Sequence, residues 1–457
     1  MAYKYQMPDD GASMAREQWT SRTGFVLATI GGAVGIGNIW RFSYVAGENG
    51  GAVFLFIYVA FILLVGVPLM VAELALGRRS RGDAITAFEV AHRASSWRFV
   101  GWLGVIAAPL LLSYYAVIAG WALKYFVGAG AGSLWRAAGE DYGGYFSRFI
   151  ADPGEPLAWQ AVTLMVAMFI VAGGVTRGIE RVNRLLIPFL AIIILALAGY
   201  ALTLPGAGGG VTFLFEPDWS ALREPGVYAA ALGQVFFSLG LGMAFFVTYG
   251  SYMPRAFSLP ASGAMVAVGD SLFAIVAGLA IFPAVFALGG NPAAGPELTF
   301  ITLPQIFLEM PAGRVLGTVF FLLLATAAIT SMVALLEIPV AVLIHRWRFR
   351  RFRATAAMGA CAFLLGLPSA LSYGLLSHVR VGTHGILEAI DYSVSNVLLP
   401  ITGIMTALYV GWRIERDLLL KDADFGPSRI GVAWLWLVRL VVPVTIVLIL
   451  VQSTGAL

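Results

Sequence analysis

Charge is scarce in this chain. Only 12% of its 457 residues are Asp, Glu, Lys or Arg, about half the ~25% of a soluble domain, and a water-soluble globular fold is excluded. Cys361 is the single cysteine, which rules out an intramolecular disulfide. No Asn-x-Ser/Thr triplet occurs, so nothing points to a glycosylated extracellular loop; a bacterial inner membrane fits. The first twenty residues carry Asp9, Asp10, Arg16 and Glu17 and lack the apolar core of a signal peptide. Enzyme signatures are missing as well. There is no His/Cys/acid cluster with metal-ligand spacing, no nucleophile elbow and no phosphate-binding Gly-Lys-Ser/Thr loop. The expectation is a non-enzyme that uses no ATP, no organic cofactor and no nucleic acid.

What is abundant is apolar sequence: 59% of residues are hydrophobic and the mean hydropathy is +0.85. Runs of about 20 apolar residues can cross the ~30 Å hydrocarbon core. They fall at 23–44, 52–77, 99–127, 157–173, 184–204, 227–251, 262–289, 313–344, 354–373, 386–411 and 431–453. These eleven spans predict an all-α polytopic protein seated in a lipid bilayer. The links after spans two and four hold Arg78, Arg79, Arg81, Arg93 and Arg98, then Arg177, Arg181 and Arg184. Those after spans eight and ten hold Arg346, Arg348, Arg350, Arg351 and Arg353, then Arg413, Arg416, Lys421 and Arg429. The link after span one has no basic residue; those after three, five and seven have only Arg136 and Arg148, Arg223, and Arg314. The positive-inside rule puts segment 1–22 in the cytoplasm and the C-terminus in the periplasm.

One apolar run is interrupted. Gly31 to Arg41 carries four glycines with Asn38 and Arg41, and each glycine costs a helix interior roughly 0.5–1 kcal/mol. Glycines also serve close helix packing. A broken helix at membrane depth is tolerated where it lines a cavity, and its freed backbone groups become ligands. Span six answers with Gly233, Gly240 and Gly242 in mid-span. Spans one and six open two five-helix halves, 23–204 and 227–411, of opposite orientation, with 431–453 outside the repeat. Gly-interrupted segments at matching positions of two halves point to a transporter's central site.

The ordered motifs make the resemblance specific. They are Gly35-Ile-Gly-Asn-Ile-Trp-Arg-Phe42, Gly47-Glu-Asn-Gly-Gly51, Pro68 to Gly77, Ser113-Tyr-Tyr115, Gly233 to Tyr252, Thr330-Ser331 and Asp391. Over nearly its whole length the chain resembles the neurotransmitter:sodium symporters, which implies a leucine-transporter-like fold with helices one and six broken. The resemblance implies a substrate carboxylate held by the amides near Ile36 and Gly37 and by Tyr115, a contact that a free helix N-terminus favours physically. Ala33 joins the substrate site. Monoamine members carry an aspartate where this chain has Gly35, so Gly35 leaves space and the ligand should be an amino acid with its own carboxylate.

Two sodium sites follow by resemblance. One uses the Ala33 carbonyl, Asn38, Ser238, Asp270 and the substrate carboxylate. The other uses the carbonyls of Gly32, Val34 and Ala327 with the hydroxyls of Thr330 and Ser331, although such hydroxyls also back-bond to their own turn. Asp270 is a bare intramembrane carboxylate, costing at least ~2.5–3.5 kcal/mol. Members with a neutral residue there need chloride or an acid one turn on. Here that next position is Ala274, so Asp270 itself should balance the charge and make transport chloride-independent. Leu111, Phe237, Gly240, Met243, Ser331 and Leu335 should line the apolar end of the pocket, and the deformable Met243 favours bulky apolar or aromatic side chains. Arg41 and Asp391 match the family's outer closure. Arg16 and Trp19 match the N-terminal half of the inner one, whose acid is replaced by His345; Glu337 or another inner acid could compensate. Glu73 should brace the unwound helices. The expected activity is sodium-driven amino-acid symport, and the alternative is an amino-acid receptor or scaffold on the same fold.

Overall fold

The computed structural model describes residues 17–89, 96–138, 141–293 and 297–453, and all the regular structure there is helical apart from one isolated Val381–His384 bridge. Nine helices among these residues are long and apolar enough to cross a bilayer: Ala52–Ser80, Arg98–Gly130, Glu155–Ala172, Val175–Ala201, Leu259–Ala287, Gly313–Trp347, Arg351–Ala370, Ile386–Arg413 and Arg429–Val451. Two interrupted helices complete the eleven. The first begins at Arg22, where the Ser21 hydroxyl accepts the Gly24 N–H at 2.9 Å and satisfies an end donor. It stops at Ala33, and Val34 is extended (φ −72°, ψ 107°). Helix resumes over Gly37–Glu48 with its axis turned by 56°. The other is Pro225–Leu239, which ends at Gly240 with φ +71° and restarts as Phe245–Ser251. Left-handed backbone costs other residues roughly 1–2 kcal/mol, which is why glycine stands at 240 and, with φ +77°, at 242.

Span five differs from expectation. It begins at Val175, immediately after Gly174 (φ +87°), so Arg177, Arg181 and Arg184 ride on the helix instead of forming a link. Arginine stems lie along an apolar helix end while the charge reaches water, so a basic run does not by itself end a span. Span eight likewise runs on to Trp347, taking in His345 and Arg346. Short helices occupy several links: Tyr142–Ala151, Gly208–Phe215, Leu303–Glu309 and Arg416–Asp422.

The most buried spans, Arg98–Gly130 and Gly313–Trp347, lie against each other and form the wall facing the two breaks. Arg22–Ala33 packs on Val175–Ala201, Leu259–Ala287 and Gly313–Trp347. Phe245–Ser251 lies hard against span two. A Cβ on Gly77 would meet the Val247 carbonyl at 2.0 Å, and one on Gly250 the Leu74 carbonyl at 2.6 Å. Reciprocal small residues of this kind let two helix backbones touch where lipid supplies no hydrophobic drive.

Candidate substrate and ion site

Residues 33–42 are all buried between the halves of span one and their neighbours. The Tyr115 hydroxyl accepts the Ile36 N–H at 2.9 Å, and Asn38 Oδ1 accepts the Gly35 N–H at 3.1 Å. Two of the freed amides thus already bond to side chains named from the sequence. Gly35 is surrounded more closely than its expected role suggests. A Cβ there would come within 2.3 Å of both the Ser331 and the Tyr115 hydroxyls, so the space it leaves is filled by those two groups.

Asp270 is wholly buried on span seven, and three side chains converge on it. Asn38 Nδ2 donates to Oδ1 at 2.7 Å and to the Asp270 carbonyl at 3.2 Å. The Ser238 hydroxyl lies 2.9 and 3.0 Å from the two carboxylate oxygens. Tyr58 donates to Oδ2 at 3.2 Å. Among the described residues, no Lys or Arg lies within 4.0 Å of this carboxylate. Tyr58 was not anticipated; its only signal is a hydroxyl inside an otherwise apolar run. On the other side of the break, Thr330 Oγ1 donates to the Ala327 carbonyl at 2.8 Å and stands 3.5 Å from the Val34 carbonyl. Ser331 Oγ is 3.4 Å from the same Val34 oxygen. Val34, Ala327, Thr330 and Ser331 therefore meet across two spans. This group presents oxygen atoms alone, the set a hard cation takes. At Asp270 the carboxylate and the Ser238 and Tyr58 hydroxyls present oxygens, while Asn38 turns its Nδ2 to the carboxylate and its Oδ1 to the Gly35 N–H.

Leu111, Phe237, Met243 and Leu335, the residues expected to form the apolar wall, are all buried. Phe237 lies 6.5 Å from the Tyr115 ring and packs on Gly37, where a Cβ would meet its ring at 2.7 Å. The Met243 methyl sits 2.4 Å from where a Cβ on Gly240 would be. Gly240 and Met243 thus work as one unit: the methionine occupies the room the glycine vacates. Glu73 accepts the Gly242 N–H at 2.9 Å, which fastens the break in span six to span two.

Arg41 and Asp391 line a single cavity of about 710 Å³, with Tyr44, Glu48, Trp121 and Glu388. They form no ion pair within 4.0 Å. Arg41 donates to Gln234 Oε1 at 2.8 Å and lies 4.8 Å over the Phe237 ring. Asp391 Oδ1 accepts from Tyr114 at 2.8 Å and Ser395 at 3.0 Å. Each member of the expected outer pair thus has its own partner, and the cavity stays open on the side away from the arginine-rich links.

That arginine-rich side is closed. Trp19 is buried against Phe25, Tyr249 and Tyr252, and its Nε1 donates to the Tyr249 carbonyl at 2.9 Å. Arg16 lies outside the described residues. Glu337, fully buried, takes Arg351 at 2.8 Å and Tyr252 at 2.7 Å, while Arg351 also reaches Glu17 at 2.9 Å. Glu337 is therefore engaged, with Arg351 as its described cationic partner. His345 Nδ1 lies 2.7 Å from Asp83 Oδ2. Burial pushes the Asp83 carboxyl up, but the hydrogen bonds from His345 and Thr86 outweigh it and hold the group below the usual carboxylate range.

A helical membrane protein whose first and sixth spans break against one another around buried polar groups belongs among the secondary transporters, whose sites lie at such breaks. The family model described as the sodium:neurotransmitter symporter family matches residues 16–143 and 145–456, and the chain belongs to that family. It is 39% identical to an uncharacterized sodium-dependent transporter of Bacillus subtilis (strain 168), YhdH, over 96% of this chain and 98% of that one. A sodium- and chloride-dependent taurine transporter of Canis lupus familiaris is 26% identical, over 91% of this chain and 74% of that one. The crystal structure of MhsT in complex with L-phenylalanine aligns with a TM-score of 0.91 at 46% identity, covering 97% of this chain and 100% of MhsT. The protein is thus a sodium-dependent multi-pass transporter, not an enzyme.

Proposed function

We propose that this protein moves a bulky apolar or aromatic amino acid together with sodium by alternating access, without chloride. The observation that carries this reading is Asp270: a wholly buried carboxylate, approached by Asn38, Ser238 and Tyr58 and by no described cationic side chain within 4.0 Å. An unpaired buried charge is costly, and a bound cation neutralises it. In this reading Ala33, Asn38, Ser238 and Asp270 hold one sodium ion with the substrate carboxylate. Gly32, Val34, Ala327, Thr330 and Ser331 hold a second. Ile36, Gly37 and Tyr115 bind the substrate carboxylate, while Leu111, Phe237, Gly240, Met243 and Leu335 cover its side chain. Trp19, with Arg16, seals the cytoplasmic side, and Arg41 and Asp391 close over the pocket from the periplasm. Residues 23–204 and 227–411 form the two inverted halves in the inner membrane. MhsT, bound to L-phenylalanine in a structure this similar, supports an aromatic ligand.

Proteoliposomes test this directly. Labelled phenylalanine should accumulate when an inward sodium gradient is imposed and should exchange in counterflow. Ligand binding without exchange is the receptor outcome and overturns transport. A thermal-shift panel of the twenty amino acids should show stabilisation that requires sodium; stabilisation independent of sodium overturns symport.

A further inference from the structure

Arg439 stands out because it lies within span eleven, Arg429–Val451, and pairs with no described carboxylate within 4.0 Å. It is ten residues into that helix, about 15 Å along its axis, and helical side chains lean back toward the helix start. Its Nε reaches the Gly411 carbonyl, at the end of span ten, at 2.5 Å. That bond caps one orphan carbonyl and uses only one donor. The two Nη nitrogens carry four more N–H groups, which have no acceptor among the described residues. The guanidinium lies 5.3 Å from the Trp412 ring and 6.0 Å from the Trp436 ring. Both tryptophans are about half exposed, at 55% and 49%. Arg413, beside Trp412, is exposed and makes no described ion pair or hydrogen bond.

The occupant follows from this chemistry. Two neighbouring guanidiniums with no described carboxylate partner favour an anion, and Arg439's planar fork suits the two free oxygens of a phosphodiester. Exposed tryptophans at the end of a membrane span require a partner that is apolar below and polar above. A soluble anion meets the first requirement only. We propose that Arg439 and Arg413 hold the phosphate of an anionic phospholipid on the surface where the end of span ten meets span eleven, with Trp412 and Trp436 flanking it. The site lies on the arginine-rich side, shares no residue with the proposed substrate and sodium sites, and does not depend on the transported substrate.

Native mass spectrometry of the full-length protein, titrated in detergent with phosphatidylglycerol or phosphatidylcholine, tests this. One phosphatidylglycerol should stay bound under conditions that release phosphatidylcholine. Arg439→Gln should weaken it by about tenfold, and Arg439→Lys should fall between, since an ammonium lacks the fork. Arg346→Gln, which removes a guanidinium already engaged with Glu89, should change nothing. Equal retention of the two lipids overturns the proposal, as does undiminished phosphatidylglycerol in Arg439→Gln. Displacement by millimolar inorganic phosphate overturns the lipid assignment in favour of a soluble anion. Should Arg439→Gln fail to fold, Arg413→Gln keeps the Gly411 cap and should weaken the lipid by about fivefold; unchanged retention there also refutes the site.

Discussion

Replacing Asp270 with Asn leaves the shape of the buried cluster and removes its charge. The donors Asn38 Nδ2, Ser238 Oγ and Tyr58 Oη all stand within 3.2 Å of the carboxylate. The hydroxyls can rotate to accept from the new amide, so the fold should survive. Sodium binding should not. A unit charge about 4 Å from a cation contributes about 4 kcal/mol at an effective dielectric of 20, and each 1.4 kcal/mol is a factor of about ten. Sodium affinity should therefore fall by up to about a thousandfold. A chloride ion entering near the cluster would replace the lost charge and recover part of that. The assay is amino-acid uptake into proteoliposomes at fixed sodium, with chloride or gluconate as the anion. Wild type should be indifferent to the exchange, whereas Asp270→Asn should be silent in gluconate and partly active in chloride. A large loss of wild-type rate in gluconate refutes the reasoning, and so does an Asp270→Asn protein equally active in both anions.

Three further outcomes follow from the described contacts. Tyr115→Phe removes the hydroxyl now bonded to the Ile36 N–H, which in the proposed site donates to the substrate carboxylate, a hydrogen bond to a charged group worth about 1.5–3 kcal/mol; amino-acid affinity should drop about tenfold or more in a thermal-shift titration while sodium binding alone is little changed. Arg351→Gln strands the fully buried Glu337, a loss of roughly 3–5 kcal/mol; the melting temperature should fall, and Glu337→Gln in the same chain should restore part of it. Asp83 has a depressed carboxyl, so its stabilising contribution is present above the ordinary carboxylate range near pH 4 and disappears as pH falls through the lower folded value. Circular-dichroism melts between pH 5 and 3 should show a steeper loss for wild type than for Asp83→Asn; parallel curves would remove that role.

The break in span one was legible because glycine is expensive in a helix, and Gly31 to Arg41 brackets the observed gap at 34–36 between Ala33 and Gly37. The apolar runs located the spans for the same elementary reason. Their ends were less legible, since arginine extends a helix without announcing it, as at the start of span five. Long-range partners were not readable at all. Gln234 binds Arg41 across 193 residues, Tyr58 binds Asp270 across 212, and Arg351 joins Glu17 across 334. Each is a polar residue whose meaning depends on which helix faces it. Motif resemblance named Asn38, Ser238 and Asp270 together; local pattern alone offers no reason to join them. The outer pair shows the opposite limit, since Arg41 and Asp391 line one cavity here yet bind other groups.

Most polar groups exposed by the gap between Ala33 and Gly37 belong to the main chain, which every amino acid shares. In the proposed site, a substitution at Met243, Leu111 or Leu335 reshapes the wall around a ligand's side chain and leaves those amides and carbonyls where they are. In the proposed reading, selectivity and ion handling therefore sit on separately mutable parts of one small volume. A lineage built this way can drift from one cargo to another by single changes in its side chains while its driving reaction stays the same.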